Sequence, residues 1–195
     1  MFRYNFIILI IFNITYTSFS INKFINYNQI FLNTPVKYIE FDYQQENSNN
    51  QLFLNTGFII IGKDNYKVTI DNHIILFNDS HIKRYNKITN QIFIEDSIPY
   101  LDSLILNFFN LDYLDLIRID SMGKIFISPI DFSNAGIDIY LNLSSDSLFI
   151  QSINIEIDQL SMIDIYNIKF SDKYLELTEP FIFNFPGALT FDLRD

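Results

Sequence analysis

The side chains that could do chemistry in this chain are few, and their spacing points away from catalysis. His73 and His81 lie eight apart on what read as neighbouring strands, with Asp71 and Asp79 near enough in sequence to supply a third metal ligand. Both histidines sit beside turn residues, where a solvated ring is the ordinary reading. The carboxylates are scattered singly at strand edges, and nothing in the spacing singles out a pair at glycosidase separation. There is no nucleophile elbow, no phosphate-binding loop and no dinucleotide fingerprint. Cysteine is absent, which excludes disulfides, thiolate metal sites, thiol catalysis and a lipidated N-terminal Cys. Asn78-Asp79-Ser80 and Asn142-Leu143-Ser144 match the glycosylation acceptor pattern, a weak signal. No cofactor is implied and no enzyme is expected.

What the chain has in surplus is apolar surface. Of 195 residues 49% are hydrophobic, yet only five are Gly and five Pro. The Ile, Phe and Tyr content favours strands, and the length allows one domain with a sizeable core. The formal charge of −10 excludes nucleic acid as an expected partner, because phosphate binding needs clustered Lys and Arg. That charge is uneven. Residues 21–95 balance seven Lys/Arg against seven Asp/Glu, whereas residues 96–195 carry five against sixteen. The acidic half reads as a solvated face or as a docking face for a basic partner.

The elements that would position this surface begin after a short leader. Arg3 is the one charge in the first twenty residues, Phe6–Phe12 (FIILIIF) is continuously apolar, and Thr17, Ser18 and Ser20 are small. A basic start, a short apolar core and a small-residue end predict a secretory signal peptide over 1–20, cleaved near Ser20, followed by one domain over 21–195. The apolar run is short for a membrane span of about 20 residues. Phe24, Tyr27, Ile30 and Phe31 fall at helical spacing before Pro35. From residue 36 to 95, short apolar runs cut by Gly, Asn and Asp predict an antiparallel meander. Pro99–Phe109 (PYLDSLILNFF) breaks that rhythm with a Pro suited to a first helical turn. Strand patterns then resume at 114–119, 124–128, 137–143, 147–157, 162–170 and 181–185. The whole is mainly β: a single-domain curled antiparallel sheet of about eleven strands, an unclosed half-barrel. Two or three short helices form a lid over an apolar cavity.

Several of these runs resemble the outer-membrane lipoprotein carrier family, of the LolA type. The opening helix is followed by a strand YIEFDYQQE. Gly57 matches the glycine that opens the next strand, Lys63 falls near a family arginine with Lys67 as the alternative, and Asn78-Asp79-Ser80 and Tyr85-Asn86 match two turns. Asp158-Gln159 sits where a family turn falls, and Phe181-Ile182-Phe183 with Phe185-Pro186-Gly187 resembles the closing signature. Ser80 replaces the turn glycine, and Lys83 and Arg84 stand where a tryptophan is usual. The resemblance spans roughly residues 24–195.

The resemblance implies a periplasmic, monomeric chaperone that carries acylated lipoproteins from an inner-membrane lipoprotein-releasing transporter to an outer-membrane acceptor. It implies a lipid-binding cavity lined by Ile59, Ile61, Tyr66, Val68, Ile70, Ile92 and Ile94. The lid would be Leu101, Leu104, Ile105 and Phe108, with Lys63 as the base that fastens lid to sheet. A periplasmic sensor or a lipid- or protein-binding domain on the same half-barrel, without transport, is the alternative. An acid-base hydrolase in a lipocalin-like barrel is a third and lesser reading.

Overall fold

Alternation of apolar and polar side chains builds one face of a sheet at a time, and here it builds a single sheet across most of the chain. The computed structural model describes residues 22–46, 52–78, 81–97, 102, 105–106, 117–119, 125–127, 137–146, 148–157, 161–171 and 179–194. The expected export signal over 1–20 and the expected lid positions Leu101, Leu104 and Phe108 lie outside the described residues, as do the Asp158-Gln159 pair and the last two residues of Asn78-Asp79-Ser80.

Two short helices, α1 (residues 22–27) and α2 (Gln29–Leu32), precede the sheet. The strands are β1 (Lys37–Glu46), β2 (Leu52–Ile61), β3 (Asn65–Ile70), β4 (His73–Asn78), β5 (His81–Asn86) and β6 (Gln91–Asp96). A helical segment, α3, is described at Asp102, Ile105 and Leu106. There follow β7 (Ile117–Ile119), β8 (Ile125–Ile127), β9 (Ile137–Leu143), β10 (Ile150–Ile157), β11 (Ser161–Ser171) and β12 (Leu189–Asp192). These twelve described strands form one sheet in the order β12-β6-β5-β4-β3-β2-β1-β11-β10-β9-β8-β7. Every pairing is antiparallel except β12 on β6, which is parallel. Among the described residues no pairing joins β12 to β7, and the half-barrel is unclosed.

The sheet curls. Ile61, Tyr66 and Phe77 from β2–β4 share one core cluster with Ile139, Leu141 and Ile153 from β9–β10. In sheet order β1 and β11 stand between those groups. Only a sheet bent toward one face brings them together, as a long twisted sheet tends to do. Leu32 of α2 belongs to the same cluster, and Phe24, Phe31, Ile105 and Leu106 pack against it. The concave face is therefore covered by α1 and α2 on one side and by α3 on the other. Phe31 stacks on Phe170 of β11 with centroids 4.0 Å apart.

Turn chemistry sets the registers. Ile70 pairs with His73, leaving Asp71 and Asn72 as a two-residue hairpin, with Asp71 at φ 50°. Asp and Asn tolerate that left-handed conformation best after Gly. On β11, Asn167 at φ 52° accompanies a bulge opposite Glu40–Asp42 of β1.

Gly57 sits mid-strand on β2 for want of space. A Cβ there would lie 2.8 Å from two ring atoms of Phe41 and 3.1 Å from the Thr69 carbonyl oxygen. The Phe41 ring therefore rests on bare backbone. Gly57→Ala should destabilise the protein by about 1–3 kcal/mol. A Phe41→Leu background should remove most of that cost, as urea unfolding of the two single variants and the double would show.

The closing segment differs from its sequence pattern. Phe181–Phe185 is not a strand; it crosses the convex face, and the chain enters β12 only after a turn at Pro186 and Gly187 (φ 81°). Phe181 comes 3.0 Å from a Cβ position at Gly62, and Phe185 stacks on Tyr85 at 3.7 Å. The Phe side chains are anchored to the face of the sheet, so the backbone between them does not join its ladder.

Candidate functional site

Register decides which side chains share a face. Across β1–β4 one ladder runs Ile39, Ile59, Val68, Ile75. Its neighbour runs Ile61, Tyr66, Phe77, Ile82. Both lie on the concave face, with Ile39, Ile61, Tyr66 and Phe77 buried. Gly57 pairs with Ile70, which puts Ile70 on that face as well. Five of the seven expected cavity positions, Ile59, Ile61, Tyr66, Val68 and Ile70, thus share the concave face, and all but Ile70 belong to or pack on the core beneath the helices.

Ile92 and Ile94 do not join them. Ile94 pairs with Lys83, whose ladder continues through Leu76 and Lys67 to Ile60 on the convex face. Ile92 follows the same parity through Tyr85 and Ile74. β6 presents Phe93 and Glu95 to the concave side instead. Its run Ile92-Phe93-Ile94 is apolar at every position, so alternation could not fix its parity.

Two polar groups are buried at this face. Asn28 donates from Nδ2 to the carbonyls of Phe24 (2.9 Å) and Leu148 (2.8 Å), which ties α1 and α2 to the β9–β10 connection. Asp102 of α3 is 2% exposed. Tyr66 donates its hydroxyl proton to Asp102 Oδ1 at 2.6 Å, and Oδ2 has no partner among the described residues. The Tyr66 ring is itself held by stacking on Phe77 at 5.2 Å. Asp102, Ile105 and Leu106 fall at i, i+3 and i+4, one side of a helix turned to the sheet. Of the expected lid face, Ile105 packs on the core.

Sequence reasoning passed over Asp102. It is the one charge within Pro99–Phe109, and it falls in the first turn after a proline, where an acidic residue ordinarily faces water and complements the helix dipole. Its helical spacing with Ile105 and Leu106 is the signal that places it inward.

Among the described residues Lys63 makes no contact with the helical segment. It is exposed in the β2–β3 turn, without a hydrogen bond or ion pair among the described residues. The turn projects it beyond the strand ends, whereas Tyr66 lies within the covered ladder. Lys67, the alternative base, points to the convex face and donates to the Ile182 carbonyl at 3.0 Å; burial lowers its pKa.

Burial, reinforced by the Asp102 bond, pushes the Tyr66 phenol above its ordinary value of 10.0. Burial and the bond to Asp71 raise Tyr43 to about 12. Both phenols hold their protons longer folded than unfolded. The stability they contribute is complete below pH 10 and is lost as pH rises through the folded values. Urea midpoints should hold from about pH 8 to 10 and fall above that, and Tyr66→Phe should flatten part of the fall.

The convex face is different in kind. Gln44, Asp164, Asn154 and Asn142 form a hydrogen-bonded polar strip across β1, β11, β10 and β9. Beside it a groove of about 410 Å³ is lined by Glu40, Asp42, Asn167 and Lys169 with Phe58 and Thr69. That groove is polar at its rim and lies on the side away from the helices. It lies apart from the apolar ladders beneath the helices, where Phe24, Phe31, Ile105 and Leu106 pack on the core. The histidines stay apart from both: His73 pairs with Asn86 and His81 with Asp96. Among the described residues no three His, Cys, Asp or Glu are grouped to hold a metal.

No family model and no curated protein matches the sequence. Among solved structures, the chain is similar to an uncharacterized conserved protein from Thermus thermophilus at 10% identity, over 90% of this chain and 98% of that one, with a TM-score of 0.47. It is also similar to a LolA superfamily protein from Nitrosomonas europaea, at 10% identity over 80% and 93% with a TM-score of 0.43. A DUF1329 family protein from Desulfovibrio piger shares 10% identity over 82% and 96%, with a TM-score of 0.42.

Proposed function

We propose that this protein is an exported carrier that shelters the acyl chains of lipid-modified proteins between its concave sheet face and its helices. The observation that carries the proposal is the cover itself. A continuous apolar face is roofed by α3 through apolar packing and one buried hydrogen bond, Tyr66 to Asp102. Each acyl CH₂ removed from water gains about 0.8 kcal/mol. An acylated protein therefore needs such a shelter to cross an aqueous compartment. A roof that packs on the empty sheet competes with cargo and keeps release within reach. The orphaned Oδ2 of Asp102 works in the same direction, because lifting α3 would hydrate it.

In this reading the cargo is taken from a membrane transporter that extracts lipoproteins and is passed to an acceptor in the outer membrane. Ile59, Ile61, Val68 and Ile70 meet the chains, and Ile105 and Leu106 give way to them. The test is native mass spectrometry of the protein purified from the cell envelope. Acylated protein bound at one copy per chain supports the carrier. Free phospholipid, or a protein partner without acyl chains, replaces it with a sensor or binding module.

A further inference from the structure

Asp102 holds a carboxylate oxygen that no described residue uses. Of the two polar side chains buried at the helix–sheet seam, Asn28 spends its amide on two carbonyls, whereas Asp102 uses only Oδ1. A buried acceptor without a donor is costly, and natural proteins keep few of them without a reason. Oδ2 lies where α3 meets the apolar ladder of Ile61, Tyr66 and Phe77. Tyr66 supplies its one hydroxyl to Oδ1, and the other described side chains of the seam are aliphatic or phenyl, with no proton to offer Oδ2. No described residue supplies that donor, which leaves Oδ2 open to one carried by a ligand in the seam.

We infer that Asp102 Oδ2 recognises a hydrogen-bond donor at the point where the cargo's acyl chain joins its polar part, and that the site selects amide-linked over ester-linked chains. This rests on the acyl-carrier reading. An amide presents an N–H at the first atom beyond the acyl carbonyl. An ester presents an oxygen there, whose lone pairs would face those of the carboxylate. A site built to accept a hydrogen bond discriminates strongly against a ligand that lacks the donor, because the buried acceptor stays unpaired.

The probes are N-lauroylglycine methyl ester and the matching lauroyl ester of methyl glycolate, which differ only in N–H against O. Calorimetry or displacement of a fluorescent fatty acid from the full chain should give at least about a tenfold preference for the amide. Asp102→Asn keeps an oxygen for Tyr66 but turns an NH₂ toward the ligand, and should abolish the preference. Tyr66→Phe removes the latch but keeps the carboxylate, and should retain it, which separates recognition from folding. Equal affinity of the wild-type protein for both probes, or a preference that survives in Asp102→Asn, overturns the inference and leaves the carrier reading standing. Binding of neither probe overturns the carrier reading itself.

Discussion

Tyr66→Phe is expected to destabilise the protein by about 1–3 kcal/mol although it deletes a single oxygen. The loss arises on the partner. Asp102 would keep its burial and lose its bond to Tyr66, leaving both carboxylate oxygens without a partner among the described residues. Asp102→Leu alone should cost a similar amount, now by stranding the Tyr66 hydroxyl in the same seam. The double variant is the informative one. Replacing both partners by apolar groups removes the polar burial penalty altogether, so Tyr66→Phe with Asp102→Leu should unfold near the wild-type midpoint or above it. Urea titrations of the four proteins close a double-mutant cycle, whose coupling should equal the sum of the two single losses, about 2 kcal/mol or more. In the carrier reading the double variant should also bind acyl probes more weakly, because an all-apolar seam resists opening.

The second large effect lies on the opposite face. Ile60→Ala should cost about 2–5 kcal/mol, as befits a side chain only 1% exposed. Ile60 points away from the helices, beside Tyr38 and Lys67. The closing segment runs beside it: its Ile182 carbonyl takes the Lys67 hydrogen bond and its Phe181 ring lies against Gly62. Removing residues 179–195 should therefore expose Ile60 and shrink the further cost of Ile60→Ala to well under half. Additive losses would mean that something else covers this residue.

Much of the sheet was legible because alternation, turn residues and length all agreed between residues 36 and 95. The faces were legible only where polar residues interrupt the apolar ones. Tyr66-Lys67-Val68 announces its parity; Ile92-Phe93-Ile94 does not, so it was placed a residue out of phase. The segment Phe181–Phe185 alternates like a strand, yet alternation also suits a chain that lays every second aromatic ring on a sheet. The latch was the least legible element. A basic residue in an exposed turn looked like the fastener, while the actual contact joins Tyr66, which reads as an ordinary strand tyrosine, to Asp102, which reads as a solvated first-turn acid. Only the fold brings those two together, 36 positions apart.

The central claim, that acyl chains lie against the concave face and not elsewhere, is tested most directly by photo-crosslinking. A photoreactive amino acid would be placed at Val68 on the concave ladder in one variant and at Ile94 on the convex ladder in another. Each would be irradiated with a radiolabelled acylated protein. Crosslinking to the acyl chain from Val68 and none from Ile94 is the predicted result. Crosslinking from Ile94, or silence at Val68 while cargo is bound, would contradict the account.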